Sequence, residues 1–202
     1  MNDVIIIDDA ISIVKQDEIE QLFYSNYINW YYLPTAARSQ ADSLTVRYKS
    51  KNAIDSSLFT HMLWDEDNKV NSPFFHLFVP IISAIPCVID ELIRIKVNLT
   101  LPTGNSDSTL YNLPHTDSTI LPNFISAIYY INDCSGDTII FNEFQDHTGE
   151  VTIKQRITPK KGRLVVFNGK LLHSGNNPVS DIPRLTANFM MVPYKSIWSE
   201  DI

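Results

Sequence analysis

Ile93-Arg94-Ile95-Lys96-Val97-Asn98-Leu99-Thr100-Leu101 alternates apolar and polar residues without a break. Period-two alternation of this length marks a β-strand with two unlike faces. Working outward toward the C-terminus, strand-like runs recur over residues 125–132, 138–142, 151–158, 163–167, 171–174 and 185–192. Turn residues separate them: Ser135-Gly136, Pro159-Lys160-Lys161-Gly162 and Asn168-Gly169, the last suited to a type I′ hairpin. Toward the N-terminus the texture changes. Residues 4–7 are a short β-branched run, while Ile11, Val14, Ile19, Leu22 and Phe23 recur at helical spacing over residues 11–24. Asn29-Trp30-Tyr31-Tyr32-Leu33-Pro34 is aromatic and ends in proline, so it reads as a strand or loop edge. Short strands with helices gathered at one end predict a mostly β, α+β fold, a sandwich or open barrel of jelly-roll type buttressed by helices. The expectation is one domain over 1–202, with 1–92 as mainly helical and irregular support and 93–193 as the jelly-roll core.

The bulk numbers narrow the function classes. With 202 residues, 44% hydrophobic and 19% charged, the chain can bury a core without staples. A net charge of −7 argues against a general binder of phosphate backbones, so a nucleic-acid partner is not expected. Lys154, Arg156, Lys160, Lys161 and Arg163 form a local basic exception, read as a solvated hairpin face with substrate binding as the alternative. Cys87 and Cys134 lack C-x-x-C spacing and read as reduced thiols. The start is acidic and lacks the basic region of a signal peptide, which predicts a cytoplasmic protein. Residues 71–89 carry no Asp, Glu, Lys or Arg, yet Pro73, Pro80 and Pro86 suit a buried, interrupted helix better than a membrane span. That helix is expected over 73–91, with Asp90 and Glu91 at its far end and His76 as a core histidine. His61 and His147 have no metal-ligand partners in sequence.

The chemistry concentrates elsewhere. His115-Thr116-Asp117 is followed by His173 and, eleven positions later, by Arg184. In a strand, residues two apart share a face, so His115 and Asp117 project together. Two imidazoles and a carboxylate on one face of a metal leave the opposite positions open, the arrangement of non-haem Fe(II) oxygenases. Arg184 adds a permanent cation with a fixed fork of donors, suited to a carboxylate. The competing reading is bland: H-x-D arises often by chance, and His, Asp and Arg commonly serve as ordinary hydrogen-bonding groups.

The wider context favours the first reading. H-T-D at 115–117, I-Y-Y-I-N at 128–132, G-D-T-I-I-F at 136–141, P-K-K-G-R-L-V-V-F at 159–167, L-H-S-G at 172–175 and P-R-L-T at 183–186 occur in order over residues 93–193, about half of the chain. Together they resemble the prolyl-4-hydroxylase-like branch of the Fe(II)- and 2-oxoglutarate-dependent dioxygenases, whose fold is a double-stranded β-helix, or cupin-like jelly roll. The Trp-Tyr-Tyr segment and the R-I-K-V-N-L strand are similar to short stand-alone members from phage and marine microbial genomes, which places a phage-encoded copy in the host cytoplasm. The resemblance implies that His115, Asp117 and His173 ligate Fe(II), and that Arg184 pairs with the distal carboxylate of 2-oxoglutarate. Tyr130 matches the family tyrosine that hydrogen-bonds the same carboxylate, and the pleat puts Ile128 and Tyr130 on one face with Tyr129 on the other. Thr186 lies two residues after Arg184 and is a further candidate contact. Ascorbate is an accessory cofactor candidate. The sequence departs from the family at 102–114, where the loop is longer or differently shaped, so Tyr111 carries no assigned role.

What the resemblance implies is hydroxylation of a peptidyl-prolyl or small-molecule C–H bond using O2, with release of succinate and CO2. Asp117 bears on reaction type, since the family's halogenases lack that carboxylate. Residues 185–194 hold no second arginine of the kind that nucleic-acid demethylases carry, which weighs against that alternative. A cupin-like binding protein that has lost turnover is the other alternative. Arg94, Lys96, Asn98 and Thr100 line a cavity or face solvent; Trp30, Tyr31 and Tyr32 form a lid or join the core; residues 103–110 are a candidate lid. The sequence does not choose among these.

Overall fold

All of the alternating segment but Leu101 lies within a twelve-residue strand, and both faces of that strand carry buried residues. The computed structural model describes residues 3–36, 48–49, 52–65, 67, 69–104 and 107–198, with Tyr48 and Lys49 as backbone only. The N-terminal half supplies β1 (Val4–Ile7), helix α1 (Ile13–Phe23), β2 (Tyr31–Leu33), β3 (Tyr48–Lys49), β4 (Ala53–Ile54) and β5 (Leu58–Trp64). A 3-10 turn (Pro73–Phe78) and helix α2 (Val79–Ser83) lead into β6 (Ile89–Thr100). Then follow β7 (Tyr111–Asn112), β8 (Ile125–Tyr130), β9 (Thr138–Phe144), β10 (Gly149–Glu150) and β11 (Ile153–Ile157). The chain closes with β12 (Leu164–Asn168), β13 (Leu171–Gly175) and β14 (Arg184–Pro193).

Seven strands make one antiparallel sheet in the order β1-β12-β8-β14-β6-β5-β2, and β11-β9-β13 make a second. The two sheets form a mostly β jelly roll of the double-stranded β-helix kind. β14 is central, and its register aligns rows of side chains across the large sheet. Thr186 lies opposite Asn98 and Tyr130, Asn188 opposite Lys96 and Ile128, and Met190 opposite Arg94 and Ser126. The opposite face carries Ile95, Val97, Ala127, Tyr129, Leu185 and Phe189, which pack with Ile19 and Phe23 of α1 and with Phe78 and Ile81. A second apolar cluster, with Val4, Ile128, Tyr130, Ile140, Ile157 and Phe167, fills the seam toward the small sheet. Tyr130 and Tyr129 therefore part to opposite faces as the pleat requires.

Several expectations change. Strands from the first 92 residues, β1, β2 and β5, are part of the large sheet rather than a helical and irregular support. Residues 73–91 do not make one helix. Pro80 and Pro86 remove donors and interrupt the ladder, so a 3-10 turn and a five-residue helix form, and Asp90 and Glu91 belong to β6. His76 is exposed there, its Nδ1 2.8 Å from the Pro73 carbonyl, and is not a core residue. Asn168-Gly169 is no type I′ hairpin: β12 and β13 belong to different sheets, and neither residue has positive φ. Glycine is needed for space, because a Cβ at Gly169 would stand 2.2 Å from the Phe124 ring. The basic cluster is not a free solvated face. Arg163 and Lys160 pair with Asp8, Lys161 with Asp17 and Glu20, and Lys154 with Asp3, fastening β1 and α1 to the sheet edge. Cys87 and Cys134 are free thiols. Among the described residues no helix is long and apolar enough to cross a membrane.

Candidate metal and anion site

His115 follows β7 in an irregular segment, and its backbone joins it to His173 of β13. Each of the two residues donates its N–H to the other's carbonyl, at 3.0 and 2.9 Å. This bridge brings residues 58 positions apart to a ring-centroid distance of 4.8 Å. His115 Nδ1 lies 2.9 Å from the Leu113 carbonyl and His173 Nδ1 3.2 Å from the Leu171 carbonyl. A carbonyl only accepts, so each Nδ1 carries the proton and each Nε2 presents a lone pair. Burial, then the neighbouring His173, pushes His115 down to about 4, and burial likewise lowers His173. Both imidazoles are therefore neutral at pH 7, the form in which histidine binds metals.

Asp117 completes the trio and is held from two sides. Arg94 Nη2 donates to Oδ1 at 2.9 Å, and the Ser126 hydroxyl donates to Oδ2 at 2.7 Å. Oδ2 also lies 3.7 Å from His173 Nε2. The row geometry explains the grip. Arg94 and Ser126 flank Met190 on neighbouring strands, and both side chains rise from the interior face to meet one carboxylate. Burial by itself would raise the Asp117 carboxyl, but His173, Arg94, Lys96 and the Ser126 hydrogen bond outweigh it and hold it well below the usual carboxylate range. The three residues named from the sequence are thus neighbours. Among the described residues, however, no three His, Cys, Asp or Glu side chains stand ready-arranged around an ion, because Asp117 faces Arg94 and Ser126 as much as the histidines.

His115, His173 and Arg184 line one cavity, together with Lys96, Asn98 and Asn188. Arg184 opens β14 and is buried. Its Nε donates to the Gly136 carbonyl at 2.8 Å, Nη2 to Thr138 Oγ at 2.7 Å and Nη1 to Thr186 Oγ at 3.4 Å. These contacts take three of the five N–H groups a guanidinium offers. Tyr130 braces the group from behind: its hydroxyl donates to Thr138 Oγ at 2.6 Å, and the guanidinium carbon lies 5.8 Å from its ring centre. Tyr130 and Thr186 are fully buried and stand one layer behind the cavity wall. Thr138 and Ser126 are residues that sequence reasoning missed, and it gives Arg94 only as lining a cavity or facing solvent, without its bond to Asp117. Thr138 sits inside the quoted G-D-T-I-I-F run, so a signal for it existed.

The open questions at the periphery resolve by burial. Arg94, Asn98 and Thr100 are buried, and Lys96, Asn98 and Thr100 line the cavity rather than facing solvent. Trp30 packs on Phe23 and His61, whereas Tyr31 and Tyr32 lie exposed on β2. Tyr111 packs on Phe141, away from the cavity wall. His61 is buried, its two ring nitrogens on the Asn29 carbonyl and the Ser72 hydroxyl. The candidate lid at 103–110 falls partly outside the described residues; Ser108 accepts from the Asn176 amide.

No protein-family model matches the chain, and no curated protein is similar to it in sequence. Solved structures are similar in shape. A 2OG-Fe(II) oxygenase family oxidoreductase from Burkholderia pseudomallei superposes with a TM-score of 0.62 at 11% identity, over 94% of this chain and 85% of that one. The α-ketoglutarate-dependent epimerase SnoN of nogalamycin biosynthesis gives 0.57 at 12%, over 95% and 79%. A prolyl-4-hydroxylase from Pseudomonas putida gives 0.53 at 12%, over 96% and 95%. The chain has the fold of the 2-oxoglutarate- and Fe(II)-dependent oxygenases.

Proposed function

We propose that the protein is an Fe(II)- and 2-oxoglutarate-dependent oxygenase that hydroxylates a peptidyl-prolyl or small-molecule C–H bond and releases succinate and CO2. One observation carries this reading. A neutral histidine pair with both Nε2 lone pairs unprotonated stands beside an ionised Asp117, and the same cavity is walled by a braced guanidinium. Two nitrogens and a carboxylate oxygen fit a divalent first-row metal of the iron type. His115, His173 and Asp117 would hold it.

Bound there, the metal and 2-oxoglutarate supply the oxidising chemistry, as cofactors generally do while the protein provides position and charge. The chain's own residues have four tasks. The Leu113 and Leu171 carbonyls fix the imidazole tautomers. Arg184 grips the distal carboxylate of 2-oxoglutarate, and Thr138, Tyr130 and Thr186 keep its fork in place. Lys96, Asn98 and Asn188 offer polar contacts to whatever else enters the cavity. The aliphatic wall at Ile128 and Leu58 limits water.

The hold of Arg94 on Asp117 favours a second reading, a cupin-like binding protein without turnover. A nucleic-acid demethylase gains no support from the basic cluster, since Lys154, Lys160, Lys161 and Arg163 pair with N-terminal acids and Arg156 with Asp137. Succinate formation from 2-oxoglutarate under air with added Fe(II), over a panel of proline-containing peptides and free amino acids, separates these readings. Turnover in the wild type that disappears in Asp117→Ala is the expected result. Equal background in both proteins with every substrate defeats the oxygenase reading and leaves the binding protein.

A further inference from the structure

We propose that Arg94 is the positioning residue for the metal carboxylate, an inference that rests on the reading of Asp117 as a ligand. Arg94 comes from β6, a strand that carries none of the three candidate ligands. It is buried on the interior face, and its side chain and that of Asp117 are 8% and 7% exposed. Its bond to Asp117 meets Oδ1, at 2.9 Å. Oδ2 is the oxygen on the histidine side, 3.7 Å from His173 Nε2, and Ser126 steadies it at 2.7 Å. The two oxygens therefore have unlike duties. Oδ1 is occupied by a charge-assisted bond, and Oδ2 is aimed at the imidazole pair. A metal that takes Oδ2 alone leaves the Arg94 bond intact, so the guanidinium selects single-oxygen ligation and denies the metal a second carboxylate oxygen.

Two effects of Arg94 oppose each other. Its charge repels a metal cation, while its bond fixes the carboxylate torsion. Hydrogen-bonding partners of metal ligands are worth about ten- to a hundredfold in metal affinity. With both groups buried and the bond direct at 2.9 Å, the fixed torsion outweighs the repulsion, and loss of Arg94 weakens metal binding.

The test is Mn(II) binding followed by electron paramagnetic resonance, with the visible absorption of the Co(II)-loaded protein as the second readout. Wild type, Arg94→Gln, Arg94→Lys and Asp117→Ala are compared. Asp117→Ala is the control for the ligand itself. Arg94→Gln is expected to bind Mn(II) about ten- to a hundredfold more weakly. Its Co(II) spectrum should shift, because an unrestrained carboxylate changes how many oxygens reach the metal. Arg94→Lys keeps the charge without the planar fork and should fall between. Cooperative melting in EDTA establishes that each variant is folded. If Arg94→Gln does not fold, Arg94→Lys decides the matter. Wild-type affinity with a wild-type Co(II) spectrum, or tighter binding, in a folded Arg94 variant overturns the proposal. A wild type that binds no Mn(II) instead brings down the ligand reading on which it rests.

Discussion

Arg184 reaches the cavity with its position already set by Gly136, Thr138 and Thr186, so a carboxylate meets a fork that needs no rearrangement. A charge-assisted bond of this kind contributes about 1.5–3 kcal/mol. Arg184→Ala is therefore expected to weaken 2-oxoglutarate binding about ten- to a hundredfold by calorimetry on the Mn(II)-loaded protein, with Mn(II) affinity unchanged. The histidine pair gives a second expectation at this scale. His115 is held near 4 in the folded chain against an ordinary value of 6.5, so the unfolded chain takes up the proton first as acid is added. The contribution of neutral His115 to stability is complete above about pH 6.5, shrinks as the pH falls toward 4, and is flat below. Urea unfolding of metal-free protein at pH 7 and pH 4.5 should show this loss, and His115→Asn should lose less over the same interval. An equal loss in both proteins would remove His115 as the cause. His115, Asp117, His173 and Arg184 are picked out by spacing together with the family resemblance. Arg94 and Ser126 are not, because they meet Asp117 through a cross-strand register that no local pattern reveals.

Elements show where local patterns are sufficient. The segment at 93–101 became a strand through its period of two, and the run at 4–7 through its β-branched residues. β5 escaped notice, since Thr60 and His61 are adjacent and break the alternation, although both are buried, Thr60 on the Asn98 amide oxygen and His61 on Ser72. Asn168-Gly169 misled for a related reason. The dipeptide has the chemistry of a hairpin, but the chain uses it to leave one sheet for the other, and the glycine is there to admit Phe124. Gly169→Ala should then displace that ring and cost about 1–3 kcal/mol, the usual penalty of overpacking. The drop would appear in the denaturant midpoint without a change of slope. An unchanged midpoint would mean that Phe124 yields freely.

On the scale of the whole molecule the acidic balance and the basic cluster have one explanation. The cluster is matched by Asp3, Asp8, Asp17, Glu20 and Asp137, so it holds the N-terminal segment to the sheet edge and is itself no unpaired basic field for a polyanion. Composition alone gives the net charge and not its arrangement. A ligand that binds only the folded chain stabilises it by mass action, about 2.7 kcal/mol at a hundredfold excess over the dissociation constant. For a chain of this size that is a melting rise of roughly 5–10 °C. Mn(II) should produce it in the wild type, EDTA should reverse it, and Asp117→Ala should show little of it; a rise of the same size in the variant would place the metal elsewhere.

The position of β14 also governs how the molecule is born. It joins β8 to β6, yet it follows every other strand of the described residues in sequence. While the ribosome is still making residues before 184, β6 with β5 and β8 with β12 remain two fragments with no common partner, and the pocket between them has no floor. Only the arrival of residues 184–193 allows closure. Nascent chains stalled before Arg184 should stay open to protease and bind no metal, and closure should begin only once residues 184–193 have left the ribosome.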